Sequence, residues 1–266
     1  MNEPVRVLSD LHLGHKICRI EQVSALRPLI AGAGTVIFNG DTWQELAAPF
    51  LNRSTVMLEE LKSLCREEGA EAVFLAGNHD PGWPGPSWVE LAGGRILITH
   101  GDALLAAGSP WKREILVNGR RVDELWKRHP TADRDPTERL AVAREIAQEL
   151  CSVEYPTGRS FFQRAWDAIN PPKRAGIMIE ACLNQASAGA KFCADYFPTA
   201  EILIIGHFHW RGCWLRDGRR IINTGSFTTP GRAHWVEWSD GWLHWGLINE
   251  APDCCHKGKT LDVWRL

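Results

Sequence analysis

Eight polar residues in this 266-residue chain stand where chemistry could be done: Asp10 and His12, Asp41, Asn78 and His79, His100, and His207 and His209. Each group follows a short apolar run and has a glycine or an acid beside it, as in VRVLSDLH, TVIFNGD, AVFLAGNH, RILITHGD and EILIIGHFH. Apolar runs of this length bounded by glycine read as buried strands. In α/β proteins, ligands bind just beyond the carboxyl ends of such strands. A single histidine or aspartate in this setting is ordinarily a core or turn residue satisfied by the backbone. Five strand ends repeating one pattern argue instead for a shared site.

The residue types define the chemistry. Imidazole, carboxylate and amide oxygen together suit divalent cations such as Mn2+, put first here, with Fe2+, Zn2+ and Co2+ also served. No cysteine lies in the motifs, so a structural thiolate zinc site does not fit. Two cations held a few ångströms apart need a carboxylate that can bridge them and about three further donors each. Water between them is acidified to hydroxide and can attack phosphorus in line. An imidazole left off the metals could protonate the leaving oxygen or bind the developing charge.

Strands and helices must deliver these side chains. Strands are expected at Val5–Ser9, Thr35–Asn39, Ala72–Ala76 and Glu201–Ile205, with a hairpin of Trp88–Leu91 and Arg95–Thr99 around Gly93-Gly94. Helices are expected at Glu21–Ile30 and after Ser54, read as an N-cap, with Leu58, Leu61 and Leu64 at helical spacing. Strand alternating with helix predicts an α/β fold. Residues 103–197 lack a strand pattern and carry helical stretches at Trp111–Arg128, Thr137–Cys151 and Arg174–Tyr196. They read as a helical insertion, or cap, between body segments 1–102 and 198–266. Asp217-Gly218 and Asp240-Gly241 mark two closing hairpins. The tail after Glu250 has no assignable pattern.

Composition narrows the classes. An apolar share of 44%, a charged share of 23% and a net charge of −2 are those of a globular protein without a strong nucleic-acid or membrane field. No transmembrane segment is expected, and MNEPVRVLSD runs into a strand without an apolar leader. The eight cysteines, with no C-x-x-C spacing, are expected as reduced thiols, so the expected compartment is cytoplasmic.

In order and spacing, D-x-H (Asp10, His12), G-D (Asp41), G-N-H-D (Asn78, His79), H-G-D (His100) and G-H-x-H (His207, His209) resemble the calcineurin-like metallophosphoesterase superfamily. The resemblance implies a four-layer α/β/β/α sandwich with a dinuclear site at the strand ends. It implies that Asp10, His12 and His209 hold one ion, that Asn78, His100 and His207 hold the other, and that Asp41 bridges them. His79 would be the catalytic histidine outside the ligand shell, and the turn Asn223–Ser226 would be structural. The implied reaction is hydrolysis of a phosphate ester or pyrophosphate bond in a phosphorylated small molecule or lipid-linked substrate. Beside it stand a catalytically inactive scaffold for protein partners and a nuclease-like phosphodiesterase; every ligand position is filled, which favours the hydrolase.

Gln44 stands where purple acid phosphatases would place a tyrosine, and Gln44-Glu45-Leu46 departs from the protein Ser/Thr phosphatase pattern. The layout is nearest to that of the UDP-2,3-diacylglucosamine pyrophosphohydrolases, which share S-D-L-H-L (Ser9–Leu13), H-G-D and a helical insertion. Those enzymes resemble this chain less at His79, where they have arginine. Substrate choice is expected to lie in the insertion, whose cations include Lys112, Arg113, Arg120, Arg121, Lys127, Arg128, Arg134, Arg159, Arg164, Lys173 and Arg174. Trp83 and Trp88 could stack on a base or lipid, while the tryptophans of the last hairpins read as core.

Overall fold

A computed structural model describes residues 1–151, 173–251 and 253–266. Two mixed sheets stack face to face with helices outside each, so the chain is an α/β sandwich of four layers. The first sheet has the order β11 (Cys254–Arg265), β10 (Trp242–Ala251), β9 (His234–Ser239), β1 (Val5–Leu8), β2 (Thr35–Asn39), β3 (Glu71–Leu75), and the second the order β4 (Trp88–Leu91), β5 (Ile96–Thr99), β6 (Ile202–Ile205), β8 (Arg219–Asn223), β7 (Gly212–Arg216). In the first, β1, β2 and β3 run parallel. In the second, β5, β6 and β8 run parallel, with β4 and β7 antiparallel at the edges.

The parallel strands are apolar at almost every position because both faces are buried. Val5, Val7, Ile37, Ile96, Ile98, Ile202 and Ile204 face the space between the sheets. Leu8, Val36 and Phe38 face α1 (Arg27–Ile30) and α2 (Ala48–Glu67), while Leu97, Leu203 and Ile205 face helices on the other side. The outer helix there is α6 (Lys173–Tyr196), which packs on β6, β7 and β8. Helices α3 (Arg113–Val117), α4 (Gly119–Arg128) and α5 (Pro136–Leu150) have a small core of their own, with Ile115, Leu125, Val142 and Ile146.

Several expectations shift. The stretch from Glu21 forms a short 3-10 turn, Val23–Leu26, and one helical turn from Arg27. Ser54 is not an N-cap: α2 starts at Ala48 with Pro49 in its first turn, and the buried Ser54 hydroxyl accepts from Gln44 N at 2.8 Å. Trp111–Arg128 is two helices, broken at Asn118. β9 (His234–Ser239) and β10 (Trp242–Ala251) form the second hairpin, and the unassigned tail becomes β11 (Cys254–Arg265). β11 lies at the sheet edge, where exposed side chains impose no clean alternation. The eight cysteines are free thiols, and no helix among the described residues is long and apolar enough to cross a membrane.

Candidate metal centre

Parallel pairing puts the carboxyl ends of β1, β2 and β3 side by side, and likewise those of β5 and β6. The loops leaving them turn at once. Of the eight non-glycine residues with positive φ among the described residues, five are here: Asp10 (51°), His12 (49°), Asp41 (50°), His207 (64°) and His209 (54°). Left-handed backbone costs an L-residue about 1 kcal/mol or more. Asp10 and His12, like His207 and His209, are two apart and would share a face in extended chain; the left-handed turns take the backbone off the strand direction where these side chains meet. Glycine makes room for the carboxylates: a Cβ at Gly77 would lie 2.3 Å from Asp41 Oδ1, and one at Gly206 would lie 2.0 Å from Asp10 Oδ2.

All eight sequence-selected residues meet in one cluster. Asp10, His12, Asp41 and His209 bring a ligand atom each to within 4.8 Å of one another. His209 Nε2 lies 3.1 Å from Asp10 Oδ1 and 3.1 Å from His12 Nε2, and His12 Nε2 lies 3.6 Å from Asp41 Oδ2. On the other side, His100 Nε2 is 3.4 Å from both Asp41 Oδ1 and Asn78 Oδ1, and His207 Nδ1 is 2.7 Å from Asn78 Oδ1. Asp41 therefore turns one carboxylate oxygen to each set.

The far nitrogens of three imidazoles are held in ways that free the near ones. His100 Nδ1 meets Asn39 O at 3.0 Å, His207 Nε2 meets Gly108 O at 3.3 Å, and His209 Nδ1 meets Thr228 Oγ1 at 3.2 Å. A ring N–H given to a carbonyl fixes the tautomer and leaves the opposite lone pair pointing into the cluster, the usual support for a metal-binding histidine. On this chemistry the donor set fits divalent cations.

Electrostatics follow from burial and crowding. Burial pushes His12 down to about 4, against the pull of Asp41, and His207 down to about 3. Burial also opposes the charged form of His100, but the Asp41 carboxylate beside it wins and holds His100 well above the usual range. Asp41 is buried too, yet the His100 charge and the hydrogen bond from His100 hold it well below the usual carboxylate range. Burial lowers His79 well below its ordinary value, with Asp41 opposing and Lys112 adding to the shift.

Sequence reasoning missed several contributors. Gln44, fully buried, touches His12 Nδ1 at 2.8 Å with Nε2 and His79 Nδ1 at 3.0 Å with Oε1. Asp80 accepts from the backbone N–H groups of Gly77, Asp41 and Thr42, tying two strand-end loops together; burial and the Asp41 charge push it up to about 7. Its place at the end of G-N-H-D was the available signal. Beside the cluster lies a cavity of about 190 Å³, lined by Asp41, Asn78, His79, Ser109, Lys112 and His207, among others. Trp111 also lines it, with its ring 5.1 Å from that of His207.

Trp83 and Trp88 are not among the described residues lining that cavity. Trp83 packs on Phe74 and Trp88 on Phe197, because both serve the sheet faces. Of the insertion cations, Arg121 pairs with Glu149 and Glu124, Arg128 pairs with Glu149, and Arg113 is exposed. Arg159 and Arg164 fall outside the described residues.

The family model for calcineurin-like phosphoesterases matches residues 3–168, more than half of the chain, and the chain belongs to that family. A search of curated proteins returned no match. Solved structures similar to it include a single mutant of Vps29 from Entamoeba histolytica, at 15% identity over 98% of each chain with a TM-score of 0.46. A dimetal phosphatase from Danio rerio is similar at 11% identity over 91% of this chain and 96% of that one, with a TM-score of 0.45. A cold-active protein-tyrosine phosphatase of a Shewanella psychrophile is similar at 12% identity, over 97% and 80%, with a TM-score of 0.42. Likenesses this distant fix no activity.

Proposed function

We propose that the protein is a dinuclear metal-dependent phosphoesterase. In this reading Asp10, His12 and His209 hold one divalent ion, Asn78, His100 and His207 the other, and Asp41 bridges. Mn2+ is the first choice, with Fe2+, Zn2+ or Co2+ as substitutes. The observation that carries the reading is Asp41, whose Oδ2 lies 3.6 Å from His12 Nε2 while its Oδ1 lies 3.4 Å from His100 Nε2. Bound cations would supply Lewis acidity, polarising phosphoryl oxygens and lowering the pKa of water.

The rest is done by the chain. As the amide stands, Gln44 Nε2 donates to His12 Nδ1, and His79 Nδ1–H donates to Gln44 Oε1. A half-turn of the amide reverses both roles. Oε1 then accepts from His12 Nδ1–H, and Nε2 donates to His79 Nδ1. Only the reversed arrangement leaves the His12 Nε2 lone pair available to a cation. The same arrangement carries the His79 proton on Nε2, the nitrogen 4.0 Å from Asp41 Oδ2. His79 would thus donate a hydrogen bond from Nε2–H to the leaving oxygen as charge develops there, keeping its proton, and Gln44 couples that role to ligation by His12. Residues 1–102 and 198–266 would form the body and 103–197 the cap-bearing insertion, whose segment 108–112 roofs the cavity.

The test is elemental analysis after Mn2+ loading and desalting, with p-nitrophenyl phosphate, bis-p-nitrophenyl phosphate, a cyclic nucleotide and a UDP-sugar lipid assayed in parallel. Two ions per chain and turnover of at least one ester are expected. One ion or fewer removes the dinuclear reading, and two ions without turnover of any ester leave a scaffold.

A further inference from the structure

Among the described residues, Lys112 is the insertion cation that lines the cavity, beside Asp41, Asn78, His79 and His207. Its ammonium nitrogen is shielded from solvent and meets no oxygen or nitrogen acceptor among the described residues, and the Ser109 hydroxyl in the same cavity has no partner among them either. An ammonium and a hydroxyl shielded from water without a strong acceptor or donor are unfavourable as they stand. Such groups side by side are what an anion-binding subsite requires.

The carboxylates in its surroundings are engaged elsewhere. Asp41 accepts from His79 N and faces His12 and His100, and Asp102 accepts from Ala103 N. The Cys151 thiol feels the Lys112 charge and takes a hydrogen bond from it, but sulfur is a weak acceptor and leaves the ammonium's other protons to a stronger one. The backbone carrying Lys112 is held in place: Lys112 N donates to Ser109 O at 2.9 Å, Gly108 O meets His207 Nε2 at 3.3 Å, and Trp111 O accepts from Arg174 Nε at 2.6 Å. The ammonium is therefore pre-positioned over the centre, which limits the ordering cost of binding.

We propose that Lys112, with Ser109, binds a non-bridging oxygen of the substrate phosphoryl group and makes the site selective for phosphate monoesters over diesters. This rests on the phosphoesterase reading above and names its substrate class. A monoester dianion offers three non-bridging oxygens, so one can meet Lys112 while others face the metal ligands. A diester offers two and carries less charge, and its second organic group must occupy the space in front of the ammonium. The cavity of about 190 Å³ leaves little room for that group.

The experiment compares wild type, Lys112→Ala, Lys112→Gln and, as an exposed control, Arg113→Ala, all Mn2+-loaded. It measures bound metal, calorimetric affinity for inorganic phosphate, and kcat/KM for p-nitrophenyl phosphate and bis-p-nitrophenyl phosphate. A charge-assisted hydrogen bond of this kind corresponds to about 10- to 100-fold in affinity. Both Lys112 variants should keep their metal, bind phosphate more weakly by that factor, and lose monoester turnover mainly through KM. Diester turnover should change by less than about threefold, and Arg113→Ala should match wild type. Equal losses on both esters, unchanged phosphate affinity, or lost metal in Lys112→Gln would each overturn the proposal. If wild type cleaves neither ester, the monoester selectivity is overturned, while the phosphate titration still decides whether Lys112 binds phosphate and the wider substrate set still decides the hydrolase reading.

Discussion

His100 and His207 at the strand ends are 1% and 5% exposed, and His234 at the start of β9 is 4% exposed. Each ring nitrogen of the first two meets a polar atom, whereas neither nitrogen of His234 does among the described residues. The strand-end region also concentrates the left-handed backbone and opposes carboxylate to imidazole at hydrogen-bond range. In the β9–β11 region, the corresponding charges are resolved by ordinary pairing: Arg6 Nε and Lys257 Nζ reach Glu237 at 2.8 and 2.9 Å. The difference teaches what burial alone means. A buried histidine is a packing group unless polar partners hold both of its ring nitrogens.

The comparison breaks most visibly at Asp41. Asp41→Asn should leave fewer than two Mn2+ per chain and bring ester hydrolysis to background, because a neutral amide cannot bridge two cations; two ions retained by elemental analysis would contradict it. Next in size, His79→Ala should keep both ions yet slow turnover by about 10²–10⁴-fold. The loss should be larger for an alkyl phosphate than for p-nitrophenyl phosphate, whose leaving oxygen needs little help. An equal loss on both would remove the leaving-group role of His79, and lost metal would place it with the ligands.

In the far region the expected effects are on stability. Burial alone would raise Glu237, but the bonds from Lys257 and Arg6 prevail and hold it below its ordinary value. A depressed carboxyl stabilises the fold above its unfolded pKa, about 4.3, and loses that contribution as the pH falls through the folded value. Glu237→Gln should cost about 3 kcal/mol at pH 7 in urea unfolding, with a smaller difference at pH 3. Metal content should not change.

The smallest effect is at His234, which burial and then the Arg211 charge push down to about 4. Between about pH 6.5 and pH 4 the unfolded chain binds the proton and the folded one does not, so this residue removes stability as the pH falls. Replacing it by phenylalanine keeps a ring against Trp245, 5.2 Å away. His234→Phe should gain about 1–2 kcal/mol more at pH 5 than at pH 7. A gain independent of pH would mean that His234 is charged or partnered in the folded state.

The site was legible where local sequence carries the signal. Apolar runs ending in Gly40-Asp41, Gly77-Asn78 or Gly206-His207 announce buried strands with polar ends, whatever the rest of the chain does. The Asp-Gly turns were equally readable, since Asp217, Gly218, Asp240 and Gly241 all take positive φ. The tail was not, because β11 gains its structure from pairing with β10 and leaves most side chains in water. Ser54 misled for a related reason: its hydroxyl is taken by Gln44 N, a contact set by tertiary packing rather than by helix position.

By itself, the sequence determined the α/β class and the identity of the eight polar residues at the strand ends, because strand periodicity and glycine placement are local properties of the chain. Only the tertiary structure decided that Asp41 divides its oxygens between two donor sets, that Gln44 joins His12 to His79, and that Lys112 rather than Arg113 enters the cavity. Those outcomes depend on which strand ends lie side by side and on how residues 108–112 anchor to His207 and Arg174, distances that close across the fold and leave no periodic trace in the chain.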